Sequence, residues 1–396
     1  MSKPPVWLIE FTIKPRSAAD AERVVDLLVQ MVSEGILVGY SKDAEAGGLI
    51  AKVIDEQHLD MVIDILRRTQ QVELKIGAPR AAYRETLARV VEVDYTQSLS
   101  APSGFPELVS FDLGPSRNAV TTWATAEGKA ALTGRIPGPH ASFPRTAASS
   151  PTDVAVTEHL AHGDQTTILR AVTTSFIHTQ PLLDGFLVVG SRCRWTPKHV
   201  DQNALCFDCD GRLVQEATFG DGIESIGTTT SGLTWVGYLD EGVFGNFGWG
   251  TPGPHPIGCH GINCFNAELQ LVTHAPGKFE IVDCYAMNVV GESVYACCYS
   301  DWRVRRIDPS GAQTTWTNTI TGARNLLISG SMVALVGGYK ERDRVVLGTL
   351  DEGSFRIASS SNVSLDGTRL PFSALLVARG HELHALVDHD WYRCEL

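Results

Sequence analysis

Several polar residues stand at matching places in the second half of the chain. His178, Gln180, Glu224, Asp283, Arg324 and Asn325 each lie just ahead of, or open, an apolar run that ends in a glycine turn. Two carboxylates and a primary amide are hard oxygen donors, the kind a divalent cation such as calcium takes, and such an ion polarises a carbonyl and activates water. On that reading Glu224, Asp283 and Asn325 hold the ion and His178 serves as base. The plainer reading is a hydrated, hydrogen-bonded polar rim without metal or cofactor. It is the one to expect where no specific catalytic signature accompanies the residues. Ser373, and less directly Asn118, fall at the corresponding place in the remaining segments.

Two other groups invite chemistry. Cys206-x-x-Cys209 has the spacing of half a zinc site, with Cys259 and Cys264 as a second pair and His255 and His260 nearby. The first pair spans a strand and a turn, however, so its side chains point to different faces, and Cys206 aligns with Cys264 as a repeated buried position. The nine cysteines are an odd number and mostly sit inside apolar runs, so they read as reduced core thiols rather than a disulfide framework. The stretch from Asp240 to Gly250 interleaves glycines with Phe244, Phe247 and Trp249. Exposed, it is a recognition loop; buried, it is a plug packing its rings into a neighbouring segment. It holds no lysine or arginine, which sets it apart from a nucleic-acid surface.

The elements that position these residues are repeats. Apolar strand, glycine turn and apolar strand recur around Gly128, Gly185, Gly232, Gly291, Gly330 and Gly380, at intervals of roughly 40–60 residues, near the length of propeller blades. Leu205-Cys206-Phe207-Asp208-Cys209-Asp210-Gly211, Val304-Arg305-Arg306-Ile307-Asp308-Pro309-Ser310-Gly311 and the degenerate Asn263-Cys264-Phe265-Asn266 read as a third strand and its tight turn. The expectation is an all-β propeller over 105–396, of six blades because six turns recur, after a small-polar linker at 97–104. Glu107–Leu113 is the expected closing strand for the segment 391–394, because an open edge invites aggregation. The polar residues then line the mouth of a central channel, where a propeller binds or acts. The region resembles bacterial six-bladed propellers in general. Propeller lactonases and related hydrolases hold a divalent ion in such a channel, which makes a metal-dependent lactonase- or esterase-like hydrolase the enzymatic alternative.

Residues 1–96 have a different texture. Val6-Trp7-Leu8-Ile9-Glu10-Phe11-Thr12-Ile13 alternates as a strand. Ser17 and Asp20 have capping-box spacing ahead of a helix with Val24, Leu27, Leu28 and Met31 on its apolar stripe, ended by Gly35. Strands at 36–41 and 49–54 flank a turn at 43–48. A second helix at 57–68 buries Leu59, Val62, Ile63 and Leu66, and a strand at 72–76 follows. The order β-α-β-β-α-β is an α+β, ferredoxin-like split unit.

Within this module Ile13-Lys14-Pro15-Arg16-Ser17-Ala18-Ala19-Asp20, Glu56-Gln57-His58-Leu59-Asp60, Ile63-Asp64-Ile65-Leu66-Arg67-Arg68 and Gly77-Ala78-Pro79-Arg80-Ala81-Ala82-Tyr83-Arg84-Glu85-Thr86 resemble the third domain of elongation factor G and the entry into its fourth, over about residues 4–95. The resemblance implies a domain that relays contacts between a GTPase core and the ribosome. Asp55 and Gln57 depart from the family pattern, and the acidic segment after its first helix is replaced by Gly35-Ile36. No Gly-x-x-x-x-Gly-Lys-Ser/Thr loop occurs, so GTP hydrolysis is not expected.

With 33 basic and 45 acidic residues the net charge is −12, which disfavours free nucleic acid as a partner. No apolar run reaches membrane-spanning length, and the start lacks a secretory pattern, so a cytoplasmic protein is expected. These features point to a non-catalytic interaction protein. Its propeller is the recognition platform for a protein partner, and its first module docks on the ribosome or a translation factor. A structural scaffold is the remaining alternative.

Overall fold

The computed structural model describes residues 9–15, 18–33, 37, 39–42, 48–53, 59, 62, 63, 65, 66, 74–76, 80, 81, 91–138, 141–299 and 301–396. The chain divides into two compact units, Met1–Ala88 and Arg89–Leu396. Among the described residues, no helix is long and apolar enough to cross a membrane.

The first unit is one antiparallel sheet with helices. Its elements are β1 (Ile9–Pro15), α1 (Ala18–Ser33), β2 (Gly39–Lys42), β3 (Leu49–Val53), β4 (Leu74–Ile76) and β5 (Arg80–Ala81). The order across the sheet is β2-β3-β1-β4, with β5 also pairing β1. Strand alternation puts Phe11 and Ile13 in the core while Lys14 is exposed. Val24, Leu28 and Met31 of α1 recur at helical spacing and close on that face. Leu59, Val62, Ile63, Ile65 and Leu66 are helical, and Leu59, Val62 and Leu66 are buried with them. Ser17, Gly35, the turn at 43–47, Glu56-Gln57-His58 and Tyr83-Arg84-Glu85-Thr86 lie outside the described residues.

The second unit is a β-propeller. Successive strands fold up and down into antiparallel sheets, each opening on an inner strand: Glu107–Leu113, Ile177–Leu182, Ile223–Thr228, Asp283–Val290, Asn325–Ser329 and Leu375–Arg379. Each inner strand contacts the inner strand of the next sheet, and Leu375–Arg379 contacts Glu107–Leu113. The apolar clusters tell the same story, because each is shared by two neighbouring sheets. Val188 and Phe207 pack on Val120 and Val156. Leu386 and Trp391 of the last sheet pack on Trp123 and Ala155 of the first. Burying a large side chain of this kind contributes about 1.5–3 kcal/mol.

Three expectations are corrected. Asp94–Ser98 pairs antiparallel with Asp390–Glu395 and is the outer strand of the last sheet. The expected module end at 96 and linker start at 97 therefore fall inside a strand of the second unit. Glu107–Leu113 is not the closing strand; it pairs with Ala119–Ala124 as the inner strand of the first sheet. Glu127-Gly128 is not a strand turn either. It lies in α2 (Ala126–Leu132), where the Thr125 side chain accepts from the Gly128 N–H at 2.9 Å, a regular N-cap. The true turn of that sheet is at Gly114 to Asn118, whose N–H and C=O groups pair at 2.9 Å.

Candidate functional site

In an antiparallel meander the inner strand starts at the end where the second and third strands are joined. Glu224, Asp283, Arg324 and Asn325 stand at or beside such starts, so they share one face of the ring with the connections at 191–203, 239–261, 301–303 and 337–343. That face is called the upper mouth below.

The upper mouth brings together His178, Glu224, Asp283 and Arg324. An Arg324 guanidinium nitrogen is 3.6 Å from Glu224 Oε1, both side chains being part-exposed. The same guanidinium lies 4.1 Å over the Tyr285 ring. Ion pairs this open are worth about 0–1 kcal/mol, so the ring contact matters as much as the charge. Burial pushes the Asp283 carboxyl up to about 6; repulsion from Glu224 and Asp240 adds to the rise, and Arg324 opposes it. Burial also raises Glu224, against the pull of Arg324 and His178. His178 Nε2 is 3.0 Å from Ser191 Oγ. Asp112 is close enough to feel His178, but its Oδ2 accepts the Thr179 N–H at 3.1 Å, and burial raises it. Among the described residues no carboxylate hydrogen-bonds the second nitrogen of His178, so the Ser191–His178 pair lacks the third member that orients a catalytic imidazole.

An aromatic surface adjoins these charges. Trp302 sits 5.0 Å from Tyr285, 5.6 Å from Tyr299 and 5.8 Å from Tyr339 between ring centroids. Tyr299 is 42% exposed and Tyr339 63%. Asp283 is the cross-strand partner of Tyr299, which places the carboxylate at the edge of this surface.

Other candidates lie elsewhere. Asn325 opens its strand opposite Val336 and, among the described residues, makes no side-chain hydrogen bond to Glu224 or Asp283. Gln180 is deeper in the channel wall and buried; its Oε1 accepts from Thr228 N and Oγ1 at 3.4 and 3.3 Å. There it lines a cavity of about 30 Å³ with Asp112, Asn288 and Arg379, roughly the room one water needs. Ser373 is exposed in a turn. Asn118 is at the opposite end of the ring, donating to Glu158 Oε1 at 3.1 Å.

The glycine-aromatic loop divides. The Phe247 carbonyl accepts from Trp195 N at 2.9 Å, and Arg192 and Arg194 lie 4.9 and 5.6 Å from its ring. Trp249 Nε1 donates to the Cys193 carbonyl at 3.0 Å. Both rings therefore pack on the 191–203 connection of the second sheet. Phe244, on the short helix α3 (Asp240–Phe244), is 53% exposed and stacks on Phe279 at 5.8 Å.

All nine cysteines are free thiols; Cys206 is half-buried on its strand and Cys209 exposed in the turn. Among the described residues the metal-type side chains that converge are His381, Glu382 and Glu395, at the lower end. There Arg117 already supplies a cation, its Nε 3.1 Å from Glu382 Oε1.

Sequence reasoning missed Tyr285, Tyr299, Trp302 and Tyr339. Tyr285 was within reach, two residues after Asp283 on the same strand face. Trp302 and Tyr339 lie on connections that follow no strand period.

Residues 4–78 match the family model for Elongation Factor G, domain III. Solved structures similar to the chain include Kluyveromyces lactis Hsv2, at 8% identity over 73% of this chain and 74% of that one, TM-score 0.42. A streptogramin B lyase is similar at 8% identity over 77% and 88%, TM-score 0.41. BamB from Moraxella catarrhalis is similar at 11% identity over 77% and 100%, TM-score 0.35. All three likenesses are distant.

Proposed function

We propose that the protein is a non-catalytic binding protein: a six-bladed propeller that recognises a partner through its upper mouth, joined to a ferredoxin-like module that docks on the translation machinery. Each of the sheets that open on the inner strands above counts as one blade in this reading. The strand order β2-β3-β1-β4 of the first unit supports the ferredoxin-like assignment.

The observation that carries the binding reading is the chemistry of the mouth. Arg324 is paired with Glu224 and His178 with Ser191, while Asp283 and the aromatic rings beside it are left for a partner. Hydrolysis needs a nucleophile, an oriented base and an electrophile converging on one point. In the mouth a guanidinium stands where the proposed cation would meet Glu224. The match of residues 4–78 to the elongation factor domain supports the translation part of this reading.

The test is co-sedimentation with ribosomes at about 100 and about 300 mM salt, where exposed ionic contacts weaken. The full chain is expected to pellet with ribosomes, and a chain beginning at Arg89 to remain in the supernatant while still melting cooperatively as a β-sheet protein. The cut is placed at the unit boundary because removal of the first hundred residues would also remove Asp94–Ser98. Equal pelleting of the two chains would remove the translation part of the reading.

A further inference from the structure

Resting on that binding reading, we infer that the upper mouth takes a cationic side chain of a partner peptide, an arginine or lysine, laid across Tyr299, Trp302 and Tyr339 with its charge directed to Asp283. The Asp283 carboxylate feels two others, Glu224 and Asp240, against the single guanidinium of Arg324. Among the described residues, Asp283 makes no side-chain hydrogen bond or ion pair, so its carboxylate is open to an incoming donor. The rings beside it are the other half of a cation site, since an aromatic face attracts ammonium and guanidinium groups through its quadrupole. Arg324 already demonstrates the chemistry within the chain, stacked on Tyr285 and paired with Glu224. Tyr299 and Tyr339 offer the same kind of surface with no cation of the chain over them among the described residues. The net charge of −12 adds long-range attraction for a basic segment and repels a phosphate backbone.

The intact protein is titrated into fluorescein-labelled pentapeptides Gly-Gly-X-Gly-Gly, with X arginine, lysine, citrulline or glutamate, and anisotropy is read. Citrulline matches arginine in shape without its charge. The arginine peptide is expected to bind at least about 10-fold more tightly than the citrulline one, and the glutamate peptide not to bind. Asp283→Asn and Tyr339→Ala are each expected to weaken arginine binding by about 10-fold with unchanged circular dichroism, and Leu183→Ala, exposed on the opposite rim, to leave it unchanged. Binding should also fall as pH drops from about 7.5 to about 5, because Asp283, raised to about 6, takes up a proton there and loses the charge that holds the cation. The other groups facing it and the adjoining Glu224 are His178, Asp240, Arg324, Tyr285 and Tyr339. Equal binding of arginine and citrulline peptides would overturn the inference. So would full-strength binding by both Asp283→Asn and Tyr339→Ala, tighter binding of an oligouridylate, or no saturable binding up to about 0.5 mM protein. Ribosome pelleting reads the first unit and peptide binding the propeller, so the two failures are distinguishable.

Discussion

A chain beginning at Phe105 is expected to melt roughly 10 °C below one beginning at Arg89, and to self-associate. Residues 91–99 stitch the ring at its seam. Val91 and Glu92 pair in parallel with Val363 and Ser364 of the fifth sheet, and the Glu92 carboxylate accepts from Ser364 Oγ and from Gly367 N. Asp94–Ser98 then completes the sixth sheet, and Leu99 N donates to the His389 carbonyl at 2.7 Å. Val93 and Leu99 are each only 3% exposed. Losing two such side chains costs about 3–6 kcal/mol, before counting the ladder bonds. It also leaves Asp390–Glu395 as a bare edge. Thermal melts followed by circular dichroism, with size-exclusion chromatography of each chain, provide the check. Equal melting of the two chains would mean that the seam is closed elsewhere.

Asn288→Ala is expected to lower stability by about 3 kcal/mol, read as a shift in the urea midpoint with unchanged slope. Asn288 faces the channel and is 2% exposed. Its Nδ2 donates to the Leu326 carbonyl at 2.6 Å and to the Gly380 carbonyl at 2.8 Å, while its Oδ1 accepts the Gly380 N–H at 2.8 Å. One amide thus ties the fourth, fifth and sixth sheets together at the axis. Alanine removes all three bonds and leaves the half-buried Gly380 N–H without its partner. Asn288→Asp keeps the acceptor, loses the donors and buries a charge, so it should be at least as damaging. A loss below about 1 kcal/mol would show that the axis is held by packing alone.

Much of the ring was legible because turn chemistry is local. The Asp208 carboxylate accepts from the N–H groups of Asp210 and Arg212, Asp308 does the same for Ser310 and Ala312, and the Asn266 side chain accepts from Gln270 N. Those bonds are the physical content of the recurring Phe-Asp, Ile-Asp and Phe-Asn signatures. The first sheet misled because Glu127-Gly128 has the look of a strand turn, whereas the cap from Thr125 decides for helix. The seam was misplaced because a short polar strand such as Asp-Tyr-Thr-Gln-Ser reads as linker. Its partner at the far end of the chain supplies what its own sequence lacks.

At the mouth, positions fixed by strand starts were legible, and His178, Glu224, Asp283 and Arg324 do converge. Gln180 shares a strand face with His178 but is two residues deeper, which turns a rim residue into a wall residue. Phe247 and Trp249 depended on backbone geometry that composition does not reveal. Gly245, Gly248 and Gly250 all adopt positive φ (108°, 95° and 81°), folding the loop back so that its rings meet the second sheet.

Hydrogen–deuterium exchange of the intact protein, with and without saturating arginine pentapeptide, tests most directly whether the upper mouth is the binding surface. Slowed exchange is predicted at 283–285, 299–303 and 337–343, with none in the first unit or at the lower turns around Gly232, Gly291 and Gly380. Slowed exchange confined to those lower turns, or to residues 1–88, would contradict it.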